Sequence, residues 1–184
     1  MQIDPAPPSN HTEGSARLLI VEPNRSALSV LAKRLGEAGY RIIGCDNAQN
    51  ATAEMLRLPV DLVLAELRMD QVSGIDLTRL IRDDTVLKDT PIILITGRSD
   101  SSGAIDGFLS GADDVVAKPF HFEVLTARIA RRISRARSVK ELRADNATLD
   151  ARVVTRSIEL GEMRAALIES EAERLRLQQL IISD

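Results

Sequence analysis

The stretch Asp61-Leu62-Val63-Leu64-Ala65-Glu66-Leu67 decides the fold that we expect for the first two thirds of this 184-residue chain. It is a nearly continuous apolar run with one carboxylate close to its end. Such a run is typical of a central parallel strand, buried on both faces, whose C-terminal tip delivers a charged side chain to the edge of a sheet. Because ligands of open α/β sheets bind at that edge, Glu66 is the first candidate functional residue.

Four further apolar segments alternate with segments of helical periodicity. The strand candidates are 17–22, 40–45, 91–96 and 114–118, and the helix candidates are 25–38, 48–57, 75–82 and 100–110. This alternation predicts an α/β fold with a five-stranded, parallel, doubly wound sheet covered by helices on both faces. Leu80 is expected to supply apolar contacts from its helix. Gly103 and Gly107 are expected to leave the helix at 100–110 loosely held.

The two ends of the chain differ from the middle part, 17–135. Residues 1–16 are rich in proline and small polar residues, which predicts a disordered leader. Residues 136–184 carry a seven-residue repeat, which predicts that the last helix extends into a coiled coil. The expected dimer seam consists of Val139, Leu142, Asn146, Leu149, Val153, Leu160, Met163 and Leu167. An asparagine in such a seam favours a parallel homodimer, and a single solvated helix is the alternative.

The composition excludes several classes of function. A formal net charge of −3, no Trp and few other aromatic residues provide no platform for nucleic acid. Basic residues cluster between Arg131 and Arg143, where a solvated linker face is favoured over nucleic-acid binding. The single cysteine, Cys45, excludes an internal disulfide. No apolar run approaches the roughly 20 residues of a membrane helix, so we expect a cytoplasmic protein with no membrane partner.

Residues from about 17 to 133 resemble the receiver domain of bacterial two-component response regulators. The strand 61–64 is similar to the strand that leads to the family's phosphoacceptor, and Ile95-Thr96-Gly97-Arg98 is similar to its switch-threonine segment. The string GADDVVAKPF at 111–120 is very close to the family's most recognisable sequence. The resemblance implies a flavodoxin-like fold and a role in phosphorelay signal transduction.

The resemblance also implies a chemistry. In this family a strand-tip aspartate takes a phosphoryl group from phosphohistidine or a small donor. An acidic pair and a backbone carbonyl hold Mg²⁺, while a Thr or Ser and a Lys bind the phosphoryl oxygens and change position in response. Thr96 and Lys118 stand at these last two positions, and Val115 stands at the position of the switch aromatic residue.

The sequence departs from this pattern where the chemistry occurs. Glu66 stands at the phosphoacceptor position, Glu22 and Pro23 stand at the acidic pair, and Arg68 stands where the carbonyl ligand is supplied. The extra methylene of Glu66 moves the carboxylate by roughly 1.5 Å. A misplacement of about 1 Å can cost on the order of 100-fold in rate. We therefore expect no catalytic residue, no enzyme activity and no cofactor, with Mg²⁺ bound weakly at best.

The expected function is that of an atypical receiver, a signalling and dimerisation module independent of phosphorylation, with a histidine kinase or another signalling protein as its candidate partner. Glu66 either pairs with Lys118 and Thr96 and imitates the phosphorylated state, or forms an inert ion pair. Two other interpretations stay open. The chain is a phosphorylatable response regulator that uses Glu66 or Asp70, or it is the front part of a larger regulator such as an HD-GYP phosphodiesterase or a hybrid kinase. Asp113 and Asp114 are interpreted as surface charge.

Overall fold

The structure is a computed structural model that describes residues 15–98 and 100–182, with the side chains at 173, 175 and 177–182 left out. Residues 1–14 of the expected leader therefore lie outside the described residues. The chain divides into two compact units, of which the first ends at Ala136 and the second begins at Arg137.

Strands and helices alternate along the chain, and every predicted strand and helix up to the fifth strand begins and ends within one residue of its observed bounds. The elements are β1 (Arg17–Val21), α1 (Arg25–Glu37), β2 (Arg41–Cys45), α2 (Ala48–Arg57), β3 (Leu62–Glu66), α3 (Gly74–Asp83), β4 (Ile92–Thr96), α4 (Ser101–Leu109), β5 (Asp114–Ala117) and α5 (Phe122–Ile182).

The five strands form one parallel sheet in the order β2-β1-β3-β4-β5, which confirms the predicted doubly wound architecture. β3 lies in the centre, between β1 and β4. Val21 is in register with Ala65, and Glu66 is in register with Ile95. The C-terminal ends of β1, β3 and β4 consequently lie side by side at one edge of the sheet.

Alternate residues of the central strand serve two separate cores because successive strand side chains point to opposite faces. Leu62 and Leu64 belong to a core that includes buried leucines and isoleucines of α1 and α5. Val63 and Ala65 belong to a second core that includes buried residues of α2 and α3. Full burial of such a side chain contributes about 1.5–3 kcal/mol, so both faces contribute strongly to stability.

One expectation about α3 needs revision. Leu80 is 56% exposed and belongs to neither core, so the expectation that it supplies apolar contacts is wrong. The buried face of α3 is centred on Leu77, Thr78 and Ile81, and Leu80 lies about 110° from that centre on a helix of 3.6 residues per turn.

Gly107 has a packing role on α4. A Cβ at this position would lie 3.1 Å from the Leu94 side chain, so the lack of a Cβ lets α4 approach the sheet closely.

The last helix contributes to both units. Within the first unit, its residues Leu125, Ile129 and Ile133 are buried. From residue 137 onward its described side chains are exposed, and these include all eight residues of the predicted seam. The long final helix confirms the helical part of the prediction, whereas its pairing into a coiled coil stays a prediction. Within the described part of the chain, none of the helices combines the length and the apolarity that a membrane crossing requires.

Candidate functional site

Four polar side chains meet at the carboxyl edge of the sheet. Glu66 is the last residue of β3 and Thr96 is the last residue of β4. Glu22 directly follows β1, and Lys118 directly follows β5. The parallel register fixes this arrangement because neighbouring strands end at the same level. The sequence-based choice of Glu22, Glu66, Thr96 and Lys118 therefore selects residues of one edge.

Lys118 joins two carboxylates at this edge. Its Nζ lies 2.6 Å from Glu66 Oε2 and 2.9 Å from Glu22 Oε2. The other oxygen of Glu22, Oε1, accepts a hydrogen bond from the backbone N–H of Asn24 at 3.0 Å. Asn24 in turn caps α1 by accepting from the backbone N–H groups of Ser26 and Ala27. The start of α1 thus holds Glu22 in position.

The surroundings of this ion pair shift the pKa values of its members. Burial raises the pKa of the Glu66 carboxyl, and the hydrogen bond and charge of Lys118 oppose that effect only in part. Burial by itself would lower the pKa of Lys118, but its hydrogen bonds to Glu66 and Glu22 outweigh burial and raise it. The ammonium of Lys118 consequently stays protonated at neutral pH, while Glu66 is easier to protonate than an ordinary glutamate.

Thr96 has a different partner from the one that the sequence suggested. Its hydroxyl donates to Asp100 Oδ2 at 3.4 Å, so it does not donate to Glu66. Asp100 also forms a bidentate ion pair with Arg68, with Nε at 2.6 Å from Oδ2 and Nη2 at 2.8 Å from Oδ1. This ion pair and the hydrogen bond from Gly103 hold the pKa of Asp100 well below its usual range, at about 2. Asp100 is not among the residues predicted from the sequence, although its position just before a helix is typical of a capping residue.

The residues at the metal positions fit Mg²⁺ poorly. Pro23 has no side-chain ligand, and Glu22 and Glu66 both already bind the ammonium of Lys118. Mg²⁺ requires near-ideal octahedral oxygen coordination and is usually held by carboxylates free to bind it. In the described ranges, no group of three or more His, Cys, Asp and Glu side chains is placed to hold a metal ion. The donor set present here is therefore better matched to a lysine than to a divalent cation.

Asp114 lies beneath the surface, so its interpretation as surface charge is wrong. It is 7% exposed and forms ion pairs with Arg128 at 3.0 Å and Arg132 at 3.5 Å. Both arginines lie on α5, the helix that follows β5. The apolar pattern of a strand does not predict ion-pair partners on a neighbouring helix. Arg132 therefore pairs with β5 and is not a purely solvated linker residue. Val115, at the switch aromatic position, is half-buried and packs against the second core.

Comparison with known proteins agrees with the fold. The model of the family described as "Response regulator receiver domain" matches residues 18–130. The Phosphate regulon transcriptional regulatory protein PhoB of Pseudomonas aeruginosa is 34% identical over 112 residues, which cover 61% of this chain and 49% of that protein. The solved receiver domain of a signal transduction histidine kinase from Syntrophus aciditrophicus is 28% identical, with a TM-score of 0.62, over 65% of this chain and 91% of that one.

Other relatives are similar to more of the chain. A Vibrio cholerae protein named "Probable cyclic di-GMP phosphodiesterase" is 29% identical over 151 residues, which cover 82% of this chain but only 34% of that protein. The chain thus spans about half the length of PhoB and about a third of the Vibrio protein.

Proposed function

Because this chain belongs to the response regulator receiver family of two-component signalling, we propose that it is an atypical receiver whose signalling does not depend on phosphorylation. The observation that carries the proposal is the position of Lys118, whose ammonium lies between Glu66 and Glu22 at 2.6 and 2.9 Å. The lysine that the family uses to bind phosphoryl oxygens is here neutralised by two carboxylates of the protein itself.

The electrostatics of the edge oppose a phosphoryl group. An incoming phosphoryl group would add negative charge beside two carboxylates that share one ammonium. The second residue of the acidic pair is Pro23, so Mg²⁺ has lost a ligand that would otherwise help to offset that charge. Oε2 of Glu66, the candidate nucleophile, is engaged by Lys118 at 2.6 Å, and its carboxyl is harder to ionise because burial raises its pKa. Each of these features makes Glu66 a weaker phosphoacceptor.

The same contacts bear on what Glu66 does instead. A carboxylate that imitated the phosphorylated state would engage both the lysine and the switch hydroxyl. Glu66 contacts Lys118, whereas the hydroxyl of Thr96 donates to Asp100. This arrangement supports a structural ion pair that fixes Lys118 more than it supports complete mimicry of a phosphoryl group.

We propose that the output surface is the part of α5 beyond residue 136. Its seam residues include Leu142, Leu149, Met163 and Leu167, which are 54–63% exposed. A single helix would leave this apolar stripe in water, and pairing with a second copy covers it. Asn146 within the seam favours a parallel, in-register homodimer. In this proposal the protein is not an enzyme, and a histidine kinase or another signalling protein is its binding partner.

Intact mass spectrometry tests the proposal. The full chain is incubated with a small acyl phosphate and Mg²⁺, and the mass is measured without acid treatment. We expect no gain of a phosphoryl group by the wild type. The double variant Pro23→Asp/Glu66→Asp, which restores the family pattern, is the matched control and is expected to gain one. A wild-type chain that is phosphorylated as fully as this control would overturn the proposal.

The Vibrio relative favours one further possibility, that this chain is the front part of a larger regulator. Its similarity extends over 151 residues, well beyond the 113-residue span of the family model, and so includes part of the extension. In that role the extension would connect the receiver to an output domain. Immunoblotting of source cells with an antibody against the receiver tests this idea. A band much larger than 20.1 kDa supports it, and a band at that mass contradicts it.

A further inference from the structure

The ion pair between Arg68 and Asp100 connects two segments that are distant in sequence. Arg68 follows Glu66 by two residues, in the loop after β3, and Asp100 is the residue that caps α4. Both guanidinium contacts are short, at 2.6 and 2.8 Å, and their fork-to-fork geometry fixes direction as well as distance. The Asp100 side chain is only 14% exposed, which limits screening on its side of the pair.

Asp100 performs two further tasks with the same carboxylate. Oδ1 accepts the backbone N–H of Gly103 at 3.0 Å, which caps the first turn of α4. Oδ2 accepts the hydroxyl of Thr96 at 3.4 Å. The position of α4 and the position of the Thr96 hydroxyl are therefore both tied to one carboxylate, and that carboxylate is tied to Arg68.

Gly103 leaves room for this arrangement. A Cβ on residue 103 would lie 2.4 Å from Asp100 Oδ2, closer than real Cβ atoms come to their neighbours. A side chain at this position would force the carboxylate out of the cap. Gly103, a residue expected to loosen α4, thus permits the close contact that fixes the start of that helix.

We propose that Arg68 is a positioning residue, which through Asp100 clamps the start of α4 and the Thr96 hydroxyl in one arrangement independently of the state of Glu66. The inference rests on the proposed function because it explains how the receiver keeps one conformation without a phosphoryl group. Lys118 is held by Glu66 and Glu22, and Thr96 is held by Asp100 and Arg68, so the two groups that sense phosphate in the family have separate fixed partners here.

Hydrogen–deuterium exchange of the full chain tests the clamp. We compare Arg68→Gln with Arg79→Gln, which breaks an Arg–Asp pair that lies within α3 alone. The two arginines are similarly exposed, at 70% and 60%, whereas Asp76 is 52% exposed and Asp100 only 14%. In Arg68→Gln, exchange in the peptide 100–110 is expected to rise about fivefold, as for the loss of one surface ion pair of good geometry. The Thr96 methyl resonance is expected to shift. Arg79→Gln is expected to change neither, and Arg68→Lys to restore part of the protection because it keeps the charge.

Glu66→Gln makes the test specific. The clamp predicts that this variant leaves exchange in 100–110 at the wild-type rate. High salt is expected to reduce the difference between Arg68→Gln and wild type, because the Debye length falls to about 3 Å at 1 M. Unchanged exchange in Arg68→Gln, or an effect of Glu66→Gln as large as that of Arg68→Gln, overturns the inference. Neither result alters the mass measurement with acyl phosphate, so failure of the clamp and failure of the proposed function remain distinguishable.

Discussion

Replacement of Lys118 by Met tests the charge arrangement at the sheet edge. Methionine keeps most of the length and the apolar stem of lysine but removes the ammonium that joins Glu22 and Glu66. The Glu22 and Glu66 side chains are only 6% and 14% exposed, so both carboxylates would face each other without a counter-charge. Removal of one partner from a buried ion pair typically costs 3–5 kcal/mol.

The expected cost here is smaller because water reaches the lysine. Lys118 is 40% exposed in its side chain, which allows solvent to relax around the remaining charges. We therefore expect the free energy of unfolding to fall by about 2–3 kcal/mol at neutral pH. With a slope of about 2 kcal/mol per M of urea, the unfolding midpoint falls by about 1–1.5 M.

The cost of the substitution also depends on pH in a defined direction. The pKa of Glu66 is raised in the folded chain, so the folded state binds its proton more tightly than the unfolded chain does. The stability that Glu66 contributes is present below its unfolded pKa and is lost as the pH rises through its folded pKa. Lys118→Met removes the opposing effect of the lysine and raises that folded pKa further. The difference between variant and wild type is therefore largest at neutral pH and shrinks towards acid pH.

Tyr40 provides the assay. The chain has one Tyr and no Trp, and Tyr40 lies in the first unit, so its fluorescence reports the unfolding of the receiver alone. Lys33→Met, which removes an exposed lysine from α1, is the matched control and is expected to change stability by less than about 0.5 kcal/mol. A Lys118→Met variant as stable as this control at neutral pH would refute the reasoning, because the two carboxylates would then not depend on the lysine.

Three further predictions concern other parts of the chain. Asp114→Ala removes the buried partner of Arg128 and is expected to lower the free energy of unfolding by about 1–3 kcal/mol in the tyrosine assay; no loss would contradict its structural role. Gly107→Ala places a Cβ 3.1 Å from a core side chain and is expected to lower stability by about 1 kcal/mol, and a stabilised variant would contradict the close packing of α4. Leu149→Asp is expected to weaken self-association about tenfold or more in sedimentation equilibrium, while Ala144→Asp outside the seam has little effect. Equal effects of the two variants would contradict the seam.

The sequence predicted the sheet and its edge because both depend on local pattern. Unbroken apolar runs mark buried parallel strands, and the last polar residue of each run marks the carboxyl edge. Glu66 and Lys118 could therefore be placed at one edge although 52 positions separate them. The seven-residue repeat likewise predicted a long last helix, since its period is read directly from the order of residues.

The errors concern contacts that depend on packing between elements. Arg68 and Asp100 meet across 32 positions, and no periodicity links a loop residue to the cap of the next helix but one. Asp114 was misjudged because its partners, Arg128 and Arg132, come from a helix whose rotation is fixed only when it packs on the sheet. Leu80 was misplaced for the same reason. Such assignments need the position and rotation of each helix, which tertiary packing sets.

The most direct test of phosphorylation-independent signalling is a titration of the wild-type chain with beryllofluoride and Mg²⁺, in which beryllofluoride stands in for the phosphoryl group and amide chemical shifts are the readout. The proposed function predicts no saturable shift at Glu66, Thr96 or Lys118 at Mg²⁺ concentrations that saturate the Pro23→Asp/Glu66→Asp control. Saturable shifts at these three residues in the wild type would show that the edge still accepts a phosphoryl-like group, and would contradict the account.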